Sequence, residues 1–203
     1  MNPHGAIPEL LLDQARAGDG AARGRLLELY RNYLRLMART LISQPLRVRL
    51  DASDIVQEAL FKAHREFAAF LGTTEPELVA WLRQILVRSV SDQVKRHRAD
   101  KRDLRREQAL DALLDRSSAA VQKALVVPVS SPSSIASRRE QAVLLADALE
   151  KLPADYREVF ISRNLEHIPF DQIAARMGRT PGAVRKLWTR TMLSLRRTLE
   201  EMR

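Results

Sequence analysis

Basic side chains are concentrated near the end of the chain, in a pattern that could bind a polyanion. No aspartate or glutamate lies between Arg179 and Arg197, and the basic residues of this stretch are Arg179, Arg185, Lys186, Arg190, Arg196 and Arg197. A cluster of positive side chains neutralises phosphates and releases their counterions, so nucleic acid is the simplest partner. The net charge of +9 agrees with this interpretation. The alternative is a solvated basic face on an ordinary helical bundle.

Two short helices joined by a tight turn are predicted to position these cations. Apolar residues at helical spacing indicate a helix over Pro169–Met177, and Gly178 ends it. Thr180 caps a second helix, and Pro181 occupies its first position. This spacing is typical of a helix-turn-helix. Its second helix buries Val184, Leu187, Trp188, Thr191 and Leu195, and the residues close enough to its start to meet base edges are Arg179, Gly182, Arg185, Lys186 and Thr189.

Composition limits the remaining classes. The 203 residues allow one or two domains. The sequence contains no cysteine, its four histidines are scattered, and we expect no metal site and no cofactor. No apolar run reaches membrane-spanning length, and Met1–Pro8 lacks the apolar core of a signal peptide, so we expect a soluble, cytoplasmic protein without membrane insertion. Helical periodicity throughout predicts an all-α fold.

Four helices are predicted before residue 99. The first covers about Glu9–Ala17 and ends at Gly18, and Asp19 caps the second, which continues as a single helix until Pro45 breaks it. The third begins at Asp51 or Ser53, and a turn over 72–76 leads into the fourth, which ends near Arg98. The stripe of the second helix is Leu26, Tyr30, Tyr33, Leu34, Met37 and Leu41.

Charge divides the third and fourth helices. Asp51–Glu77 contains six acidic and two basic residues, whereas Leu78–Arg102 contains two acidic and seven basic residues. One helix therefore suits a positive partner and the next a negative one. Beyond Leu86 polar residues interrupt the apolar stripe of the fourth helix. These polar positions face either solvent or a nucleic-acid strand.

Several motifs together resemble bacterial sigma factors of the small extracytoplasmic-function (ECF) type. Gly18-Asp19, Leu29-Tyr30, the Asp54–Glu58 string DIVQE and Trp81–Ile85 are similar to domain two of that family. Leu152–Arg197 resembles its domain four, which ends in a helix-turn-helix. The resemblance implies two helical domains joined by a flexible linker: residues 1–99, a linker over 100–137, and residues 138–203. The Ser/Pro-rich segment Val126–Ser137 is predicted to be extended.

The resemblance also implies roles for individual residues. Asp54, Gln57 and Glu58 would dock on the β′ clamp helices of core RNA polymerase. The loop 71–75 would hold a base flipped out of the −10 element, and the fourth helix would follow the melted strand. The implied −10 contacts are Gly72, Thr73, Thr74, Arg88, Ser89, Asp92, Lys95 and Arg96, and the implied −35 contacts are Arg179, Thr180, Gly182, Arg185, Lys186, Thr189 and Arg190.

The implied function is a transcription initiation factor that brings core polymerase to promoter DNA and helps melt the −10 element. Such a factor has no catalytic residues of its own, and an anti-sigma protein is a further candidate partner. The sequence departs from the family at Ser89, where asparagine is common, and in the Thr73–Pro76 loop, so the preferred −10 bases stay open. The alternative is a stand-alone helix-turn-helix regulator of another family. An enzyme is disfavoured because no nucleophile–base pair, phosphate loop or metal spacing is visible.

Overall fold

The computed structural model describes residues 3–42, 47, 49–97 and 135–202, without the side chains of 3–6, 97 and 135–140. The predictions for Pro45 and for all but the last three residues of the 100–137 linker lie outside these residues. The chain divides into two compact units, Met1–Ser117 and Ser118–Arg203. Every regular element within the described ranges is a helix, which confirms the all-α prediction.

The first unit contains helices α1 to α5. They cover Pro3–Arg16 (α1), Gly20–Leu29 (α2), Arg31–Leu41 (α3), Ala52–Glu66 (α4) and Glu75–His97 (α5), and a short 3-10 turn, Phe67–Ala69, follows α4. The first helix begins six residues earlier than predicted. The predicted single second helix is wrong, because the chain forms two helices, α2 and α3, that are separated at Tyr30. The apolar stripe continues across this break, and its members are nevertheless buried.

Local capping explains where these helices begin. Asp19 accepts hydrogen bonds from the backbone N–H groups of Ala21 and Ala22, at 2.8 and 3.0 Å, as predicted. Asp51 accepts one from Ser53 at 2.7 Å, which identifies Asp51 as the N-cap of α4. α4 packs on α5 and α3, and α1 packs on α2.

Over residues 135–202, the second unit contains four helices and a short π-helical turn. They are Ile135–Lys151 (α6), Ala154–Phe160 (α7), Phe170–Met177 (α8) and Pro181–Glu201 (α9), and the turn Ile161–Leu165 follows α7. α6 begins at Ile135, so the last three residues of the segment predicted to be extended are helical. The last proline of that segment is Pro132, so no proline interrupts the helix after residue 135.

One buried hydrophobic cluster of the second unit lies between α7, α8 and α9. Its buried members are Val159, Ile168, Ile173, Ala174, Val184 and Leu187. Phe170 and Trp188 cover one edge of this cluster, with ring centroids 6.0 Å apart in an edge-to-face arrangement. The indole N–H of Trp188 donates to Asn164 Oδ1 at 3.0 Å, so the ring direction is fixed.

Two kinds of feature are absent from the residues that the structure describes. None of the helices found there is both long enough and apolar enough to span a membrane. Within the same residues, no group of three or more histidine, aspartate or glutamate side chains is arranged to hold a metal ion.

Candidate functional site

The predicted helix-turn-helix is formed by α8 and α9. Gly178 ends α8 in the left-handed conformation, with φ 62° and ψ 34°. Thr180 Oγ1 accepts from the backbone N–H of Ala183 at 3.3 Å, and Pro181 is the first residue of α9. Ala174 and Val184 are buried where the two helices meet. Each local signal of the sequence therefore has its expected structural role.

The start of α9 presents its polar side chains to solvent. All seven positions proposed to contact the −35 element are exposed, namely Arg179, Thr180, Gly182, Arg185, Lys186, Thr189 and Arg190. Val184 and Leu187 are buried on the opposite side of the helix. The exposed set can therefore enter a groove of duplex DNA without disturbing the core. That these seven residues contact DNA stays a prediction.

Two arginines of this surface have acidic partners that the sequence analysis did not identify. Arg179 pairs with Asp155, which lies in the first turn of α7. Arg185 lies 3.9 Å from Asp171 in the first turn of α8, and its guanidinium lies 5.9 Å from the centroid of the Phe170 ring. Neither acid has a sequence pattern that marks it, because the contact depends on how α7 and α8 pack against α9.

The acidic surface of α4 is smaller than predicted. Asp54 and Gln57 are exposed, but the Glu58 side chain is only 24% exposed and points toward α5. Glu58 accepts hydrogen bonds from Gln93 Nε2 at 2.7 Å and pairs with Lys62 at 3.2 Å and Arg96 at 3.4 Å. Burial by itself raises the pKa of Glu58, but the bonds from Gln93 and Lys62 outweigh it and hold the pKa below its usual value. Glu58 therefore joins α4 to α5 within the chain.

Lys62 is the centre of this helix–helix contact. Its ammonium group lies 3.1 Å from Asp92 Oδ2 and 3.4 Å from Ser89 Oγ. Burial lowers the pKa of Lys62, but the bonds to Asp92 and Glu58 raise it above its usual value. The prediction that Ser89 faces DNA is contradicted, because this residue is fully buried. The position of Ser89 along the helix predicted an exposed polar residue. In the structure, the ammonium group of Lys62 on the neighbouring helix α4 donates a hydrogen bond to the buried Ser89 hydroxyl.

The other proposed −10 residues of α5 remain accessible. Arg88, Lys95 and Arg96 are exposed, and the Asp92 side chain is 45% exposed although it pairs with Lys62. Arg96 lies at the edge of the Glu58 contact. The basic end of α5 is therefore on the surface, but part of it is paired with the helix that the sequence analysis assigned to polymerase.

A capping box fixes the loop before α5. Glu77 Oε2 accepts from the backbone N–H groups of Thr73 and Thr74, at 2.9 and 3.0 Å, and from the Thr74 hydroxyl at 2.8 Å. The bond from Thr73, followed by those from Thr74, lowers the pKa of Glu77. Thr73 and Thr74 are exposed, and Gly72 is partly exposed. The sequence contains this Thr-x-x-Glu pattern, although only a turn was predicted for the segment.

Two exposed apolar side chains lie close to these surfaces. Phe61 on α4 is 67% exposed and lies one turn beyond Gln57. Leu71 is 87% exposed and precedes Gly72 in the loop. Neither residue is among the individual contacts predicted from the sequence, although Leu71 belongs to the 71–75 loop, because a single exposed apolar side chain has no distinctive sequence signal.

Comparisons with known proteins give both units the same family. Residues 26–100 match the family described as "Sigma-70 region 2", and residues 142–195 match "Sigma-70, region 4". Over 97% of the chain and 85% of the relative, the sequence is 28% identical to the ECF RNA polymerase sigma factor SigD of Mycobacterium tuberculosis. It is 25% identical to the ECF RNA polymerase sigma-E factor of Escherichia coli over 87% of the chain and 86% of the relative. A chain in the solved RsbN–BldN complex aligns at 22% identity with a TM-score of 0.32, covering 92% of this chain and 97% of that one.

Two family regions in this order define the class, and the chain belongs to the sigma-70 family. Within that family it is a sigma factor of the extracytoplasmic-function type, a transcription initiation factor with a DNA-binding region four.

Proposed function

We propose that this sigma factor docks on core RNA polymerase through α4, contacts the −10 element through the 71–75 loop and α5, and reads the −35 element with α9. The observation that carries the proposal is the exposed start of α9, where the charged side chains of the helix itself are all basic, although Asp155 and Asp171 pair with Arg179 and Arg185. A predominantly basic surface attracts phosphates, and a helix in this arrangement fits the major groove. In this proposal polymerase supplies the chemistry, so the factor itself catalyses nothing. The proposed site of action is the cytoplasm.

The polymerase contact is assigned to the exposed part of α4. Asp54 and Gln57 lie one turn apart, and Phe61 follows them on the same side of the helix. An acid, an amide and an aromatic ring form a small surface suited to a basic partner such as the β′ clamp helices. Glu58 is paired with Lys62 and Gln93, so we assign it a structural role instead.

The same proposal divides the chain into three functional parts. Residues 1–99 bind polymerase and the −10 element, residues 100–137 connect the domains, and residues 138–203 bind the −35 element. The family matches over 26–100 and 142–195 support these boundaries. Because α6 starts at Ile135, we place the last three residues of the connector in the C-terminal domain.

Within the −35 surface we assign different roles to residues near and far from the helix start. Arg185 and Lys186 lie one turn into α9, where a recognition helix meets base edges. Arg190, Arg196 and Arg197 lie farther along and contact phosphates, which fix the register of the protein on the duplex.

A binding experiment with core polymerase tests the proposal. Asp54→Lys reverses the charge of an exposed residue, so we expect the fold to survive and binding to core polymerase to be lost. Asp13→Lys on α1 is the matched control, since Asp13 is also exposed and acidic. If the wild-type chain binds duplex DNA but not core polymerase, the chain acts as a stand-alone regulator and the proposal is wrong. Equal binding by both variants would refute the α4 assignment.

A further inference from the structure

The first helix contacts the loop before α5, although α1 lies outside both matched family regions. Arg16, the last residue of α1, donates from Nη1 to the carbonyl oxygen of Gly72 at 2.6 Å. α1 also packs on α2 and contacts α5. Arg16 itself is exposed, so its guanidinium reaches the loop across the surface of the unit. The family matches begin only at residue 26, so they assign nothing to this contact.

The loop is held from several sides. Glu77 binds the N–H groups of Thr73 and Thr74, and the Tyr30 hydroxyl donates to Glu75 at 2.8 Å. Gly72 has no room for a side chain, because an added Cβ would lie 2.4 Å from the Phe70 ring and 2.9 Å from Glu77 Cβ. Phe70 and Glu77 therefore leave no space beside the Gly72 Cα, and Arg16 binds the carbonyl oxygen of the same residue.

This arrangement decides which loop groups can meet a base. The N–H groups of Thr73 and Thr74 are already bound to Glu77, so the loop presents side chains to DNA rather than those amides. Leu71 and Thr73, on either side of Gly72, are both exposed. The direction of Thr73 relative to Leu71 depends on the Gly72–Thr73 peptide, and Arg16 binds the carbonyl oxygen of that peptide. A recognition group must be held to within about 0.5 Å to discriminate between ligands.

We propose that Arg16 is a positioning residue for −10 recognition, which sets the base preference of the loop by fixing the Gly72 carbonyl. The proposal rests on the proposed role of the 71–75 loop. It extends that function to α1, which would shape promoter specificity without touching DNA.

The test compares Arg16→Ala with wild type in reconstituted holoenzyme. Wild-type holoenzyme first selects one promoter from a random library. Two template libraries are then made from this promoter, one randomised only in the −10 block and the other only in the −35 block. We expect Arg16→Ala to reduce base preference at one or two −10 positions by about three- to tenfold, the effect of losing one hydrogen bond. Preference in the −35 block should not change. Arg25→Ala is the control, because Arg25 is an exposed arginine on α2.

A second measurement follows the loop directly. Arg16→Ala should speed hydrogen exchange of the Thr73 and Thr74 amides, while amides in the middle of α5 keep their protection. Arg16→Lys retains one donor at this position and should restore part of the −10 preference.

The outcomes separate this inference from the proposed function. If Arg16→Ala and Arg25→Ala give the same −10 profile as wild type, Arg16 does not position the loop, while the sigma-factor function stands. If the wild-type holoenzyme initiates without any base preference in the −10 block, the role of the loop is wrong and the inference fails with it.

Discussion

Replacing Glu58 by glutamine should destabilise the first unit, whereas replacing Asp54 by asparagine should not. Glu58 accepts from Gln93 and pairs with Lys62, and its side chain is mostly shielded from water. Hydrogen bonds to a buried charge contribute about 1.5–3 kcal/mol, and partial exposure reduces this, so we expect Glu58→Gln to cost about 1–2 kcal/mol. Asp54→Asn at an exposed position should stay within about 0.5 kcal/mol.

Urea unfolding followed by Trp81 fluorescence measures this difference. Both variants are made in a Trp188→Phe background, which confines the tryptophan signal to the first unit because Trp81 and Trp188 are the only tryptophans. Equal stability of the Glu58→Gln and Asp54→Asn proteins would show that the Glu58 contacts do not form in solution. In that case Glu58, like Asp54, would be available for contact with polymerase.

The pH dependence provides a second check on Glu58. Its pKa is lowered in the folded state, so its contribution is complete at pH values above the ordinary value of 4.5 and is lost as the pH falls through the folded-state pKa. The stability difference between wild type and Glu58→Gln should therefore shrink in acid. A difference that stays constant from neutral pH to pH values well below 4.5 would contradict the lowered pKa.

Further predictions concern the second unit. Gly178→Ala forces a left-handed residue to carry a side chain, although no atom lies within 4 Å of the added Cβ, so thermal unfolding should show a loss of about 1–2 kcal/mol. Gly182→Ala, in helical backbone with equally open space, is the control and should be neutral or slightly stabilising. In promoter-library transcription, Arg185→Ala should cost about 1–3 kcal/mol at the preferred −35 sequence and relax preference there. Arg196→Ala should instead weaken all duplexes alike and reduce the salt slope by about one; a uniform loss with Arg185→Ala would exclude base contact by that residue.

The helix-turn-helix was predictable because its signals are local. Gly178, Thr180 and Pro181 each determine backbone geometry within a few residues, and neighbouring elements do not override them. The N-caps Asp19 and Asp51 follow the same rule. Exposure of the α9 cations was also predictable, because the buried stripe of a helix defines its opposite face.

The errors arose where distant parts of the chain meet. No glycine or proline marks the break between α2 and α3 at Tyr30, and the Tyr30 hydroxyl donates to Glu75, which is 45 residues away. Ser89 and Glu58 looked like surface residues, but Lys62 and Gln93 satisfy them between α4 and α5. Periodicity shows which residues share a face, and it does not show which partner covers that face.

The most direct test of the central claim is transcription by core polymerase with and without this factor on a library of random upstream sequences. We predict that the factor causes initiation from templates sharing two sequence blocks, near −10 and −35, and that core polymerase alone selects neither. Substitution of Arg185 or Lys186, the α9 residues assigned to base edges, should alter only the upstream block. Selection of the same templates by core polymerase alone, or the absence of any selected block with the factor present, would contradict the account.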